Sequence, residues 1–139
     1  MNRFGLFLLV LTGMIVFSCN KGDEDNRSER FRLLTGAVWL SDSLLVNGED
    51  AGGPGQMLGN FRGEARFKED GTGTFGQYTG TWSFGAAETE IVILTDSLVF
   101  ALTTKIAELT RTSLKVTTSF PNFEFPDQPY DIRMTFKAK

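Results

Sequence analysis

The chain has 139 residues, with 14 Lys and Arg against 17 Asp and Glu, one cysteine and no histidine. That length suits one compact core, and the acidic balance argues against a nucleic-acid partner, which needs a basic face. One thiol forms no internal disulfide; without histidine there is no Ser–His or Cys–His nucleophile pair and no imidazole metal ligand.

Met1-Asn2-Arg3 is a short cationic start, followed by an apolar run over Phe4–Phe17 broken only by Gly5, Thr12 and Gly13. These 14 residues are short for a bilayer span, which takes about 20, so residues 1–18 read as an export signal. The run ends in Val16-Phe17-Ser18-Cys19. This resembles the lipobox of bacterial lipoproteins, in which the cysteine is diacylated and becomes the new N-terminus. Phe17 departs from the small residue usual at its place. The resemblance implies Cys19 as the lipidation site, with palmitate-type chains, and membrane lipid as a partner through acylated Cys19.

Residues 19–30 form a charged tether. Seven of the eleven residues Asn20–Arg30 are charged and none is apolar, so the segment buries too little surface to order itself. Cys19-Asn20-Lys21-Gly22-Asp23-Glu24-Asp25 resembles the lipoprotein export signal of certain Gram-negative bacteria. It implies an outer-membrane protein facing the cell surface, with the periplasmic leaflet as the alternative location.

Ser28 is placed to N-cap a short helix over Glu29–Thr35, with Phe31 and Leu34 on one side and Gly36 ending it. Beyond it the apolar period becomes two. Val38–Val46 reads as the first strand. Asn47–Asn60 carries five glycines without a Lys-Ser/Thr pair, so it is no phosphate loop. It is either a plain connection or a mobile lid over a barrel mouth, with Met57 and Leu58 as its apolar contacts.

Arg62–Lys68 puts Gly63, Ala65 and Phe67 on one face, and Glu69-Asp70-Gly71 is a hairpin turn signal. Thr72–Gln77 and Tyr78–Phe84 follow as strands. Gly71-Thr72-Gly73-Thr74-Phe75-Gly76 matches G-x-G-x-x-G literally. A dinucleotide fingerprint needs a helix behind it in a βαβ unit; strand-like residues follow here, so a glycine-tolerant hairpin is the better reading. Thr89–Thr95, Leu98–Thr110 and Leu114–Phe120 are further strands. In Phe120-Pro121-Asn122-Phe123-Glu124-Phe125-Pro126, Phe123 and Phe125 either form a contact surface for a ligand or partner, or plug one barrel end. Tyr130–Lys137 alternates most cleanly: Tyr130, Ile132, Met134 and Phe136 face one way, and Asp131, Arg133, Thr135 and Lys137 the other.

About eight half-buried strands in sequence predict an all-β fold. The expected form is an antiparallel up-and-down meander closing into a barrel, preceded by the short helix; a two-sheet β-sandwich is the alternative. Trp39, Phe67, Phe75, Trp82, Phe84, Ile93, Phe100, Ile106, Leu114, Ile132, Met134 and Phe136 are expected inside, as core or as the lining of a ligand cavity. Glu64 and Asp131 fall on outward faces and Asp70 and Asp127 in turns, so no acid–base pair forms. Asp23-Glu24-Asp25 lacks the ligand spacing of a calcium loop. No catalytic residue, metal site or cofactor is therefore expected, and an enzyme is the least favoured class.

Leu33–Trp39, Arg66–Thr72, Gly80-Thr81-Trp82 and Lys105–Leu114, taken in that order, look like the lipocalin-like domain of small bacterial lipoproteins. The resemblance covers residues 31–137, although lipocalins place one residue between the first Gly and Trp and this chain has two, Ala37 and Val38. It implies a barrel domain over 31–139 binding a small, largely apolar ligand in or at the barrel. The alternative is a surface interaction module, with a packed barrel presenting its loops to a protein or glycan partner.

Overall fold

A computed structural model describes residues 27–139. The export signal, Cys19, Lys21 and Asp23-Glu24-Asp25 lie outside the described residues.

Helix α1 spans Glu29–Thr35, as its caps dictate: the Ser28 hydroxyl accepts from the Phe31 N–H at 3.0 Å, and the Gly36 N–H donates to the Arg32 carbonyl. Nine strands follow: β1 (Val38–Val46), β2 (Glu49–Asp50), β3 (Glu64–Phe67), β4 (Thr72–Phe75), β5 (Tyr78–Gly85), β6 (Glu90–Thr95), β7 (Leu102–Leu109), β8 (Ser113–Phe120) and β9 (Tyr130–Ala138). From β3 to β9 each strand pairs antiparallel with the next. β1 pairs with β3 on one edge and with β9 on the other, so the meander closes. Eight strands therefore make a barrel and β2 is an extra strand on β1; two separate sheets would leave β1 and β9 unpaired.

The registers follow the alternation. Trp82 faces Ile93, Val116 faces Met134 and Leu114 faces Phe136, all buried, while their chain neighbours point to solvent. This is the expected cost of a slip avoided, since a one-residue shift would turn every apolar side chain outward.

Two details depart from the sequence reading. Asn47 and Gly48, with φ of 51° and 83°, fold Glu49–Asp50 back onto Leu45 and Val46. An Asn-Gly pair is the strongest short hairpin signal, so β2 follows from residues already in view. The strand expected over Leu98–Thr110 begins only at Leu102. Asp96-Ser97 turns the chain, with the Leu98 N–H bonded to the Thr95 hydroxyl at 3.2 Å, and Leu98–Leu102 is a continuous apolar run without a polar face. Phe100, expected inside, is consequently 59% exposed on this loop. The G-x-G-x-x-G stretch is a strand with a turn at either end: Gly71 and Gly76, at φ 85° and 62°, flank β4.

α1 closes the barrel end where β1 begins and β9 finishes. Leu34 is fully buried there, and Trp39 Nε1 donates to its carbonyl at 3.0 Å. Trp82 Nε1 donates to the Lys68 carbonyl at 2.9 Å, and its ring meets Phe31, Phe67 and Phe84. Thr104 is the buried polar residue among those described, and its hydroxyl bonds the Ile91 carbonyl at 3.2 Å. The opposite end carries the connections 47–63, 76–77, 96–101 and 121–129.

Candidate functional site

The two halves of the interior differ in how well they are filled. The middle, between Phe67, Phe75, Ile91, Leu114 and Phe136, retains about 20 Å³ with the Thr104 hydroxyl as its polar lining group, close to the minimum volume for one water and short of the two or more polar partners a water needs. The end opposite α1 opens into a cavity of about 270 Å³.

Its walls come from strand ends and from connections. β3 and β4 have four residues each, against eight or nine in β1, β5, β7, β8 and β9, so the barrel wall is low on their side. The glycine-rich segment fills that gap. It is pinned by bonds from Ala51 N to the Leu44 carbonyl, Leu58 N to the Ala51 carbonyl and Gln77 N to the Asn60 carbonyl, all of 2.8–2.9 Å. A short 3₁₀ turn over Gly59–Phe61 then sets Phe61 against Tyr78, with ring centroids 4.8 Å apart. Leu58 is buried in the cavity wall and Met57 stands half-exposed beside it. The segment thus forms a hydrogen-bonded part of the cavity wall, with Leu58 and Met57 facing the cavity.

Ile132 and Met134 of β9, Leu102 of β7 and Phe120 of β8 form the floor and far side. Ser97–Phe100 and Phe123 form the rim, where Val99 is 89% and Phe123 is 73% exposed. Only two lining side chains are polar, Ser97 and Tyr78, and none is charged. The Tyr78 hydroxyl accepts from Asn60 Nδ2 at 3.4 Å, which leaves its own proton to donate. A mostly apolar cleft with one or two placed polar groups is the usual form of a small-molecule site.

The structure thus brings together Met57, Leu58, Phe100, Phe123, Ile132 and Met134 out of the side chains singled out from sequence. Phe125 is exposed next to the rim, outside the lining, and neither it nor Phe123 plugs the barrel. Trp39, Trp82 and Phe84 belong to the α1 end, and Phe67 and Phe75 to the filled middle; Phe84 packs half-buried against the core and the other four are part of it. Phe61, Tyr78, Leu98, Val99 and Leu102 also line the cavity, and strand alternation does not mark them as site residues. For Leu98, Val99 and Leu102 the signal in the sequence is the break in alternation over 98–102.

Three carboxylates outside the cavity are held below the usual carboxylate range. For Glu64 the main cause is its hydrogen bond from Lys139, for Asp70 that from the Thr72 hydroxyl, and for Glu108 that from the Ser113 hydroxyl. Among the described residues no group of three or more His, Cys, Asp or Glu is gathered as a metal site, and no helix is long and apolar enough to cross a membrane. Comparison with protein-family models and with curated proteins gives no match.

Proposed function

We propose that this chain is a lipid-anchored, lipocalin-like barrel that holds a small, largely apolar ligand at its mouth. The observation that carries the reading is the apolar cavity of about 270 Å³ above a packed middle. It lies near the lower limit of about 300 Å³ for small-molecule sites. At roughly 30 Å³ per heavy atom, the share of a water in the liquid, it accepts on the order of ten non-hydrogen atoms. At about 0.8 kcal/mol per heavy atom, between the ceiling of about 1.5 for the smallest ligands and the value of about 0.3 for drug-sized ones, such a ligand binds at about micromolar, about −8 kcal/mol.

Anchoring belongs to the same reading, supported by the apolar run that ends at Cys19 and the charged tether behind it. Two acyl chains hold a protein at a membrane where one does not. Lys21 and Asp23-Glu24-Asp25 support display on the cell surface. The exposed rim side chains Val99, Phe100, Phe123 and Phe125 also favour a second reading, a module that presents loops to a protein or glycan.

Titration with the small uncharged fluorescent probe 1-naphthylamine, whose size matches the cavity, separates the two. Binding should saturate at one site, and Leu98→Asp, on a half-buried loop position in the lining, should weaken it at least tenfold. Unsaturable uptake, or equal binding by Leu98→Asp, would leave the interaction module as the better account.

A further inference from the structure

We propose that the mouth selects amphiphiles with a cationic head, the tail entering the cavity and the head resting among the carboxylates and phenyl faces of the rim. This rests on the reading of the cavity as a ligand site and names the ligand class.

Charge is divided along the barrel axis. The connections at the open end carry Glu49, Asp50, Asp96, Glu124 and Asp127 against Arg62 alone, and the Arg62 guanidinium is bonded to the Gly52 carbonyl at 3.3 Å. None of those five carboxylates is in an ion pair with a described residue. At the α1 end, Arg27, Arg30, Arg32, Lys68, Arg111 and Lys139 outnumber Glu29, Glu69, Asp70 and Glu88. Among the described residues the connections around the mouth are thus net negative, with Asp96 and Glu124 next in the chain to the rim residues Ser97 and Phe123, and the opposite end is net positive. A cleft with low-dielectric walls lined by one sign of charge concentrates ligands of the other.

The rim adds a second attraction. Phe100, Phe123 and Phe125 are exposed and make no ring contact with a described aromatic residue, so their faces are open to an ammonium group. Glu124 lies between two of them in the chain. The Asn122 side-chain oxygen accepts from the backbone N–H of both Glu124 and Phe125 at 3.1 Å, which holds this turn in shape. An anionic head would meet the same carboxylates with like charge. The complement of this surface is an apolar tail of about ten heavy atoms bearing an amine or quaternary ammonium.

Isothermal titration of the full chain with decyltrimethylammonium and decanoate below their micellar concentrations, and with decanol below its solubility limit, tests this. The three share a ten-carbon tail and differ in head charge. The ammonium should bind at least tenfold more tightly than decanol, about 1.4 kcal/mol, and decanoate more weakly than decanol. In Asp96→Asn/Glu124→Gln/Asp127→Asn the ammonium's preference should fall below threefold while decanol binding stays unchanged. Equal binding of ammonium and decanol, or a preference that survives the triple variant, would overturn the cationic selection and leave the cavity reading intact. If none of the three binds, both readings fail.

Discussion

Replacing Trp82 by alanine probes the helix-capped end on which the open end depends. The indole is 6% exposed, touches Phe31, Phe67 and Phe84 with ring centroids 5.3–5.7 Å apart, and donates to the Lys68 carbonyl. A ring of this kind withdraws about 200 Å² from water, worth about 5 kcal/mol at 25 cal/mol/Å². The denatured chain already hides part of that area and the site partly collapses, so the cost should be about 3–5 kcal/mol. In a domain of this size that lowers the thermal midpoint by on the order of 10–20 °C. Trp82→Phe keeps most of the apolar contact and removes the Nε1 donor, for about 1–2 kcal/mol. Thr81→Ala, on the exposed face of the same strand, should cost about 0.5 kcal/mol or less. Thermal and urea melts of the four proteins read all of this. Similar midpoints for Trp82→Ala and Thr81→Ala would refute the assignment of faces, and with it the register of β5.

Gly76→Ala should destabilise by at least about 2 kcal/mol in a urea melt: its φ of 62° is unfavourable to a side chain, and a methyl there would collide with the Asn60 carbonyl and the Phe61 backbone. Because Phe61 lines the cavity, naphthylamine affinity should fall as well. Acidification should lower the thermal midpoint progressively below about pH 4, the unfolded carboxylate range. Glu64, Asp70 and Glu108 have their folded values depressed, so their contribution is present above that range and lost as pH falls through the folded values; a midpoint that rises from pH 5 to pH 3 would contradict it. Cys19→Ala should abolish palmitate labelling, and persistent labelling would remove Cys19 as the acylated residue. Replacing Lys21, Asp23, Glu24 and Asp25 together by Ala should convert the protein from protease-accessible to protected in intact cells; equal shaving would remove the sorting role while leaving lipidation standing.

Most of the scaffold is written in local patterns. The Tyr130–Lys137 alternation corresponds to β9 with Ile132, Met134 and Phe136 inward, the Ser28 hydroxyl caps α1, and Gly36 follows its last residue in a right-handed conformation where a Cβ would crowd the Arg32 carbonyl. The barrel also follows, because half-buried strands joined by short turns leave two edges that are best paired with each other. The cavity was harder to see. Period-two reasoning assigns a side chain to the inside without saying how far along the axis it lies, so Trp82 and Ile132 look alike in sequence. One is core beside α1 and the other is floor of the mouth. Phe100 shows the same limit: its apolar neighbours suggest a buried strand, yet the run lies beyond the strand end as a rim loop. The charge division was present in composition by segment, but only the barrel topology gathers Asp96, Glu124 and Asp127 at one end.

The most direct test of mouth binding is methyl NMR of the protein titrated with decyltrimethylammonium below its micellar concentration. The methyl signals of Leu98, Leu102, Ile132 and Met134 should shift along a single saturating curve, and those of Leu34 and Ile91, at the helix-capped end and in the packed middle, should stay in place. Shifts confined to the exposed Val99, or spread equally over Leu34 and Ile91, would contradict a ligand site at the barrel mouth.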